Sequence, residues 1–134
     1  MLLVCDLDRT LIPNGSEPDE DSLRKFYEYI KKIEDLTLVY ATGRNLKLFQ
    51  EAQSEYGLLT PDYFIGAVGT EVYENHNVLF GRAKLKPDPD WSEYVKSEHL
   101  NWSRDSIVQD LEFLVSDSFY LQEFEVQNNN KISF

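Results

Sequence analysis

Apolar positions along the chain follow two periods, one of about two and one of about 3.6 residues, and the switches between them mark the elements. Leu2 to Leu7 is a short, nearly continuous apolar run interrupted by Asp6 and Asp8. That pattern predicts a strand covered on both faces inside a parallel sheet. Turn formers crowd Pro13-Asn14-Gly15-Ser16-Glu17-Pro18, after which Leu23, Phe26, Tyr27, Ile30 and Ile33 fall on one helical face. Thr37-Leu38-Val39-Tyr40-Ala41 is a second β-type run, followed by Thr42-Gly43-Arg44-Asn45 and a helix pattern with Leu48, Phe49, Ala52 and Tyr56. Gly57 supplies the stop. Tyr63 to Val68 is a third apolar run, so the order is strand, helix, strand, helix, strand. The alternation predicts an α/β fold with a parallel sheet and right-handed crossovers. Glu71-Val72-Tyr73 and Val78-Leu79-Phe80, separated by Glu74-Asn75-His76-Asn77, read as a hairpin at the sheet's edge.

Beyond Gly81 the character changes. Lys84 to Asp90 is polar with two prolines, and two helical patterns follow, the second carrying Ile107, Val108, Leu111 and Leu114. A boundary within Arg82 to Pro89 divides the chain into a core, 1–81, and a second module, 82–134. Phe119 to Val126 alternates as a strand would, Gln127-Asn128-Asn129-Asn130 is a turn, and Lys131-Ile132-Ser133-Phe134 begins a returning strand.

Charge narrows the partners. With 13 basic and 24 acidic residues the net charge is −11, and a nucleic-acid backbone would be repelled. A phosphate ester would be repelled too, unless a bound cation and local donors reverse the field inside the site. Cys5 is the lone cysteine, so no intrachain disulfide can form, and its place in the first apolar run suits a small strand residue. That run is far too short for a signal h-region or a membrane span. A soluble cytoplasmic protein with no membrane partner is expected.

Asp6 and Asp8 are two apart at the carboxyl end of the first strand, and period-two alternation lets both address one site. Ligands of open α/β sheets bind at that end. One carboxylate there can attack phosphorus while the other trades protons with the leaving and attacking oxygens. Mg²⁺ suits the hard oxygens and offsets the repulsion between carboxylate and phosphate. Thr42 and Gly43 end the second strand with a hydroxyl and backbone N–H groups, a ready phosphate cradle if they open a helix. Taken without the aspartates, Thr42-Gly43 is better explained as an ordinary N-cap and turn, and a glycosyltransferase also uses an Asp-x-Asp pair, for a nucleotide-sugar metal.

Asp6-Leu7-Asp8-Arg9-Thr10 together with Thr42 resembles the haloacid dehalogenase superfamily, whose first motif is Asp-x-Asp-x-Thr and whose second is a Ser or Thr. Tyr40-Ala41-Thr42-Gly43-Arg44-Asn45, Pro61-Asp62-Tyr63-Phe64, Ala67 to Tyr73 and Lys131-Ile132-Ser133-Phe134 are similar to segments of its sucrose-phosphate phosphatase branch. The resemblance implies a Rossmann-like core followed by the beginning of an α+β cap of the C2 type, inserted after the first core strands. It implies that Asp6 is the nucleophile, that Asp8 protonates the leaving sugar oxygen and then activates water, and that Thr42 and the Gly43 amide bind the phosphoryl group. It places Mg²⁺ on the Asp6 carboxylate and the Asp8 backbone carbonyl, and makes a small sugar phosphate, sucrose 6-phosphate, the substrate.

Other residues follow from position. Arg44 and Arg9 are candidate counter-charges for the phosphate, with Arg9 standing where the family more usually has Gly or Asn. Glu71 follows Gly69-Thr70 at the end of the third strand and could reach the same sheet edge; a solvated hairpin acid explains it equally well. Lys131 could face the sugar, or be a solvated charge beside a turn. His76 and His99 read as surface residues, and Trp91 and Trp102 as helix anchors of the second module.

The family's later lysine and its final Gly-Asp-x-x-x-Asp segment have no counterpart in these 134 residues, so the chain reads as truncated relative to the pattern. Little or no phosphatase activity is expected of it alone, and a homodimer, or pairing with the remaining C-terminal part, is expected to cover open strand edges. Three functions compete: a sugar-phosphate phosphatase, a non-catalytic sugar-phosphate-binding domain like the phosphatase-like tail of sucrose-phosphate synthases, and a glycosyltransferase fragment.

Overall fold

The computed structural model describes residues 1–13, 20–76, 84–98 and 101–134. The chain divides into two compact units, Met1–Asp88 and Pro89–Phe134. In the first, β1 (Leu2–Cys5), α1 (Glu20–Ile30), β2 (Thr37–Ala41), α2 (Leu46–Tyr56), β3 (Tyr63–Gly66), β4 (Glu71–His76) and β5 (Lys84–Pro87) follow one another. The strands form one sheet in the order β1-β2-β3-β4-β5. β1, β2 and β3 are parallel, and β4 and β5 add antiparallel strands beyond them. The α/β alternation expected from the sequence is thus the fold.

Both crossover helices lie on one face of the sheet. Tyr27 and Ile30 of α1 and Phe49 and Ala52 of α2 share a buried cluster with Leu38 and Tyr40 of β2 and Phe64 of β3. Phe49 stacks on Phe64 with ring centroids 4.7 Å apart. A fully buried Phe or Leu side chain of this kind contributes about 1.5–3 kcal/mol. One polar link runs through this layer: the Tyr27 and Tyr40 hydroxyls are 3.0 Å apart. Cys5 packs against the same cluster as a half-buried free thiol whose pKa burial raises.

β1 departs from the expectation of burial on both faces. Leu2 and Val4 are 66% and 55% exposed, while Leu3 and Cys5, on the alternate face, pack against the cluster. The cause is the placing of the crossover helices: both pack on the Leu3–Cys5 face, and they do not cover Leu2 and Val4.

The edge hairpin also differs. Val78 to Phe80, Gly81 and Arg82 lie outside the described residues, as do the turn formers Asn14 to Pro18 and His99. The strand that returns along β4 is Lys84–Pro87, with Asn75 opposite Leu85. It belongs to the first unit, although the sequence reading placed it past the boundary. Asp62 closes the other end of the sheet: its carboxylate accepts the Leu38 amide at 2.8 Å and its backbone carbonyl accepts the Asn75 amide at 2.8 Å.

The second unit contains α3 (Pro89–Glu98), α4 (Arg104–Leu111) and short 3-10 turns. The strand expected over Phe119 to Val126 does not form there. Isolated bridges join Ser116 to Phe119 and Asn128 to Lys131, and Phe124–Val126 is a 3-10 turn. An isolated two-stranded pairing is marginal in water, and alternation alone does not overcome that. The expected turn is present: the Asn130 amide donates to Asn128 Oδ1 at 2.8 Å, and Trp102 Nε1 donates to the Asn129 carbonyl at 2.7 Å.

Candidate active site

The polypeptide leaving β1 makes a tight loop before it reaches α1. The amides of Thr10, Leu11 and Ile12 all converge on the Leu7 carbonyl, at 3.1, 2.9 and 2.8 Å. Leu7 and Ile12 are fully buried and act as the loop's two pins. Asp6, just before the first pin, and Arg9 and Thr10 between the two are exposed, and Asp8 is half-buried. Thr10 Oγ1 donates to Asp6 Oδ2 at 3.3 Å, a long contact that still biases the carboxylate's orientation. Arg9 has φ 62, in the left-handed region. Gly and Asn adopt that backbone most readily, which gives the physical reason for their frequency at this place in the motif.

The loop leaving β2 meets this one through the Arg44 side chain. Arg44 donates from Nη2 to Asp8 Oδ1 at 2.7 Å, and from Nε to Oδ1 and Oδ2 at 3.1 and 3.2 Å. The two side chains are 25% and 32% exposed, so the pair is partly withdrawn from water. Hydrogen bonding to Asp8 raises the Arg44 pKa against the opposing effect of burial. Arg44, expected as a counter-charge for phosphate, therefore has its guanidinium on the second aspartate of the pair.

Thr42 is buried, and its amide donates to the Ile65 carbonyl at 2.9 Å, which continues the β2–β3 ladder by one residue. Its Oγ1 accepts the Arg44 amide at 3.2 Å. A hydroxyl that accepts can still donate its own proton to a ligand oxygen. The helix itself begins later than the sequence suggested. Asn45 is the N-cap of α2, its side chain accepting the Leu48 amide at 3.0 Å, so Thr42 and Gly43 form a hydroxyl-closed turn ahead of the helix. Asn has the higher capping preference, and Thr42 remains committed to the sheet.

A third loop, from β3, packs against the second. The Ala67 amide donates to the Arg44 carbonyl at 2.8 Å and the Val68 amide to the Thr42 carbonyl at 3.2 Å. Ala67 and Val68 both have positive φ, 48 and 56. Sequence reasoning missed Val68; its one local signal was a β-branched residue wedged between Ala67 and Gly69 at a strand's end. Glu71 pairs with Gly66 across the β3–β4 turn, and its carboxylate accepts the Tyr73 hydroxyl at 3.2 Å. Burial, then the neighbouring Glu71, push the Tyr73 phenol up to about 12. Lys131 stands in the second unit, on the Asn128–Lys131 turn.

The oxygens of Asp6 and of the Asp8 backbone are of the hard type that Mg²⁺ prefers, but they are two where that ion takes about six ligands. Among the described residues no group of three or more His, Cys, Asp or Glu side chains could hold a metal ion. The fit is therefore one of donor type, with most of the coordination sphere left to water, substrate or other protein. A separate cleft of about 760 Å³, lined by Leu11, Tyr27, Lys31 and Tyr56 among others, contains none of these candidates. Among the described residues no helix is long and apolar enough to cross a membrane.

Comparison with known proteins puts this arrangement in context. A family model of sucrose-6F-phosphate phosphohydrolase matches residues 1–134. A putative HAD-like hydrolase of Nitrosococcus oceani is 32% identical over the whole of this chain and 34% of its own length. A probable sucrose-phosphatase 1 of Arabidopsis thaliana is 30% identical over the whole of this chain and 29% of its own. The chain thus spans about a third of the length of these curated relatives. Among solved structures, the sucrose-phosphatase of Synechocystis sp. PCC6803, in complex with sucrose and phosphate, is similar over 96% of this chain and 45% of that one, with TM-score 0.67 and 32% identity. The haloacid dehalogenase-like yhjK of Bacillus subtilis shares the fold, with TM-score 0.60 at 15% identity, over 84% of this chain and 40% of that one.

Proposed function

This chain belongs to the sucrose-6F-phosphate phosphohydrolase family, and from that premise we propose that it carries the nucleophile half of a sugar-phosphate phosphatase site. The observation that supports the reading best is the Arg44–Asp8 contact, which ties the Asp6–Asp8 loop of β1 to the Thr42–Arg44 loop of β2. Two carboxylates and a hydroxyl turn are thereby held at the carboxyl ends of neighbouring parallel strands.

In this reading a carboxylate oxygen of Asp6 attacks phosphorus and the bond to the sugar oxygen breaks. Asp8 gives that oxygen its proton, so the sugar leaves as an alcohol and Asp6 holds the phosphoryl group as an acyl phosphate. Asp8, now a carboxylate, takes a proton from water; the water oxygen attacks phosphorus, and inorganic phosphate and free Asp6 result. Thr42 and Gly43 bind the phosphoryl oxygens. Arg44 fixes the direction in which Asp8 faces, and must loosen its hold when Asp8 is protonated. The Asp6 carboxylate and the Asp8 carbonyl are the groups that would hold Mg²⁺, which when bound offsets the charge of the phosphate. Sucrose 6-phosphate is the substrate the family points to, with Lys131 and Glu71 as sugar-side candidates. The glycosyltransferase reading has no support in the family comparison.

A second reading is favoured by the same contact. Three hydrogen bonds to one carboxylate make Asp8 a firm ion-pair partner, which suits a domain that binds a sugar phosphate without cleaving it. Phosphate release from sucrose 6-phosphate with Mg²⁺, measured against protein concentration, separates the two. Release proportional to protein and lost in Asp6→Asn supports the phosphatase. Binding of the ester with no release, unchanged by Asp6→Asn, selects the binding domain. Activity of these 134 residues alone is expected to be weak, so the assay needs protein near stoichiometric amounts. Pairing through the β1 edge, with a second copy or with further polypeptide of the kind the longer relatives carry, would satisfy its open backbone groups. A concentration-independent monomer by light scattering argues against a homodimer.

A further inference from the structure

Four residues other than glycine have positive φ among those described: Arg9, Asp35, Ala67 and Val68. Three of them sit at the carboxyl ends of β1 and β3, on the loops that frame Asp6, Asp8 and Thr42. Val68 is the outlier within this group. Its φ and ψ are 56 and 35, a left-handed backbone that is sterically costly for any side chain and most so for a β-branched one. The residue is also 68% exposed, so packing among the described residues offsets little of the strain.

The backbone of this turn does not call for valine. The hydrogen bond from the Val68 amide to the Thr42 carbonyl would form equally from Asn or Gly, and both tolerate left-handed φ. What valine adds is an apolar surface at a defined place. A Cβ built on Gly43 would lie 3.9 Å from Val68 Cγ1, so the isopropyl stands in van der Waals reach of the Thr42–Gly43 turn. An exposed apolar group, held in a strained conformation beside a phosphate cradle, is the arrangement in which strain is kept for a ligand.

We infer that Val68 is a specificity-determining residue, whose isopropyl group receives the carbon skeleton of a phosphate monoester bound through its phosphoryl group at Thr42 and Gly43. The inference rests on the sugar-phosphate reading of the site and sharpens it. The phosphoryl group alone gains nothing from Val68, while the C–H surface of a sugar ring next to the ester oxygen does. Discrimination between phosphate and its ester thus has a physical source in the core unit itself.

Calorimetric titration of the full chain with inorganic phosphate and with sucrose 6-phosphate, both in the presence of Mg²⁺, tests this on two variants. Val68→Thr keeps the branched shape and the backbone strain but replaces a methyl with a hydroxyl. Val68→Asn relaxes the backbone and removes the apolar surface. Both are expected to weaken the ester about tenfold, the scale set by a lost apolar contact in a binding site, with phosphate affinity unchanged within about twofold. Val68→Asn is also expected to melt at a higher temperature than the wild type. Ester affinity unchanged in both variants overturns the inference, as does an equal loss of phosphate and ester, which would make Val68 a support of the cradle's backbone. A wild-type chain that binds neither ligand overturns the functional reading itself, and that result is visible before any variant is made.

Discussion

Met1–Asp88 and Pro89–Phe134 contain similar apolar residues and treat them in opposite ways. In the first unit Tyr40, Phe49 and Phe64 are sealed from solvent. In the second Phe113 and Phe124 are 80% and 86% exposed, and among the described residues Val95 is the one buried hydrophobic residue there. The difference lies in what stands opposite each element. A parallel sheet offers α1 and α2 one continuous apolar face, so a helical stripe of ordinary strength finds a complete surface to cover. Among the described residues the alternating stretch Phe119 to Val126 joins no sheet, and it forms an isolated bridge and a 3-10 turn instead. The chemistry follows the same division. Of the proposed site residues, Asp6, Asp8, Thr42, Gly43, Arg44 and Val68 lie on loops that leave the sheet's strands and Glu71 opens β4, while Lys131 lies in the second unit.

The sharpest break of this contrast is a pair of truncations of one residue type. Phe64→Ala removes a fully buried ring that stacks on Phe49 and lies 6.0 Å from Tyr73. It is expected to cost about 3–5 kcal/mol in urea denaturation. Phe124→Ala removes a ring that is 86% exposed and should stay within about 0.5 kcal/mol. Equal costs for the two would mean that exposure in this structure does not report where the stability resides.

Alkaline pH gives a gentler version of the same test. Burial raises the pKa values of Tyr27 and Tyr40, which also share a hydrogen bond, and burial followed by Glu71 lifts Tyr73 to about 12. Unfolded phenols lose their protons near about 10. Above that pH the unfolded state binds fewer protons than the folded one, so stability present below about 10 is lost as pH rises through about 12. The loss belongs to Met1–Asp88. Melting temperatures measured between pH 9 and 11.5, within about two units of the ordinary phenol value, should fall steadily, and Tyr73→Phe should flatten part of that slope. A slope unchanged in Tyr73→Phe would take Tyr73 out of the account.

Much of the first unit was legible because its signals were redundant. Tyr40 and Phe49 lay within clear periods, Gly57 ended its helix with φ 67, and Asp6, Asp8 and Thr42 were marked by their place after strands. β5 was missed because Lys84, Lys86 and Pro87 look like a linker. Those residues are what an edge strand carries to discourage further pairing. β1 was misjudged for a related reason: a continuous apolar run says that both faces resist water, not that both are covered. The Arg44–Asp8 contact joins residues 36 apart on two different loops, and no local pattern records it. Val68 was invisible because backbone strain follows from how the β3 loop is held against Thr42 and Arg44.

The smallest effect concerns one device used in both regions. Asn45 caps α2 by accepting the Leu48 amide at 3.0 Å, and Ser103 caps α4 by accepting the Ser106 amide at 3.3 Å. Each cap contributes about 1 kcal/mol to its own helix. Their consequences should differ, because α2 buries Phe49 and Ala52 while α4 buries none of its residues. Asn45→Ala loosens a helix on which the aromatic core depends, so the cost of about 1 kcal/mol is expected to appear in global unfolding. Ser103→Ala loosens a helix that can open with little loss of burial, so its cost should appear as faster amide exchange at Ile107 and Val108 with the global midpoint unmoved. A global shift of equal size in Ser103→Ala would show that α4 belongs to the same cooperative unit as the sheet.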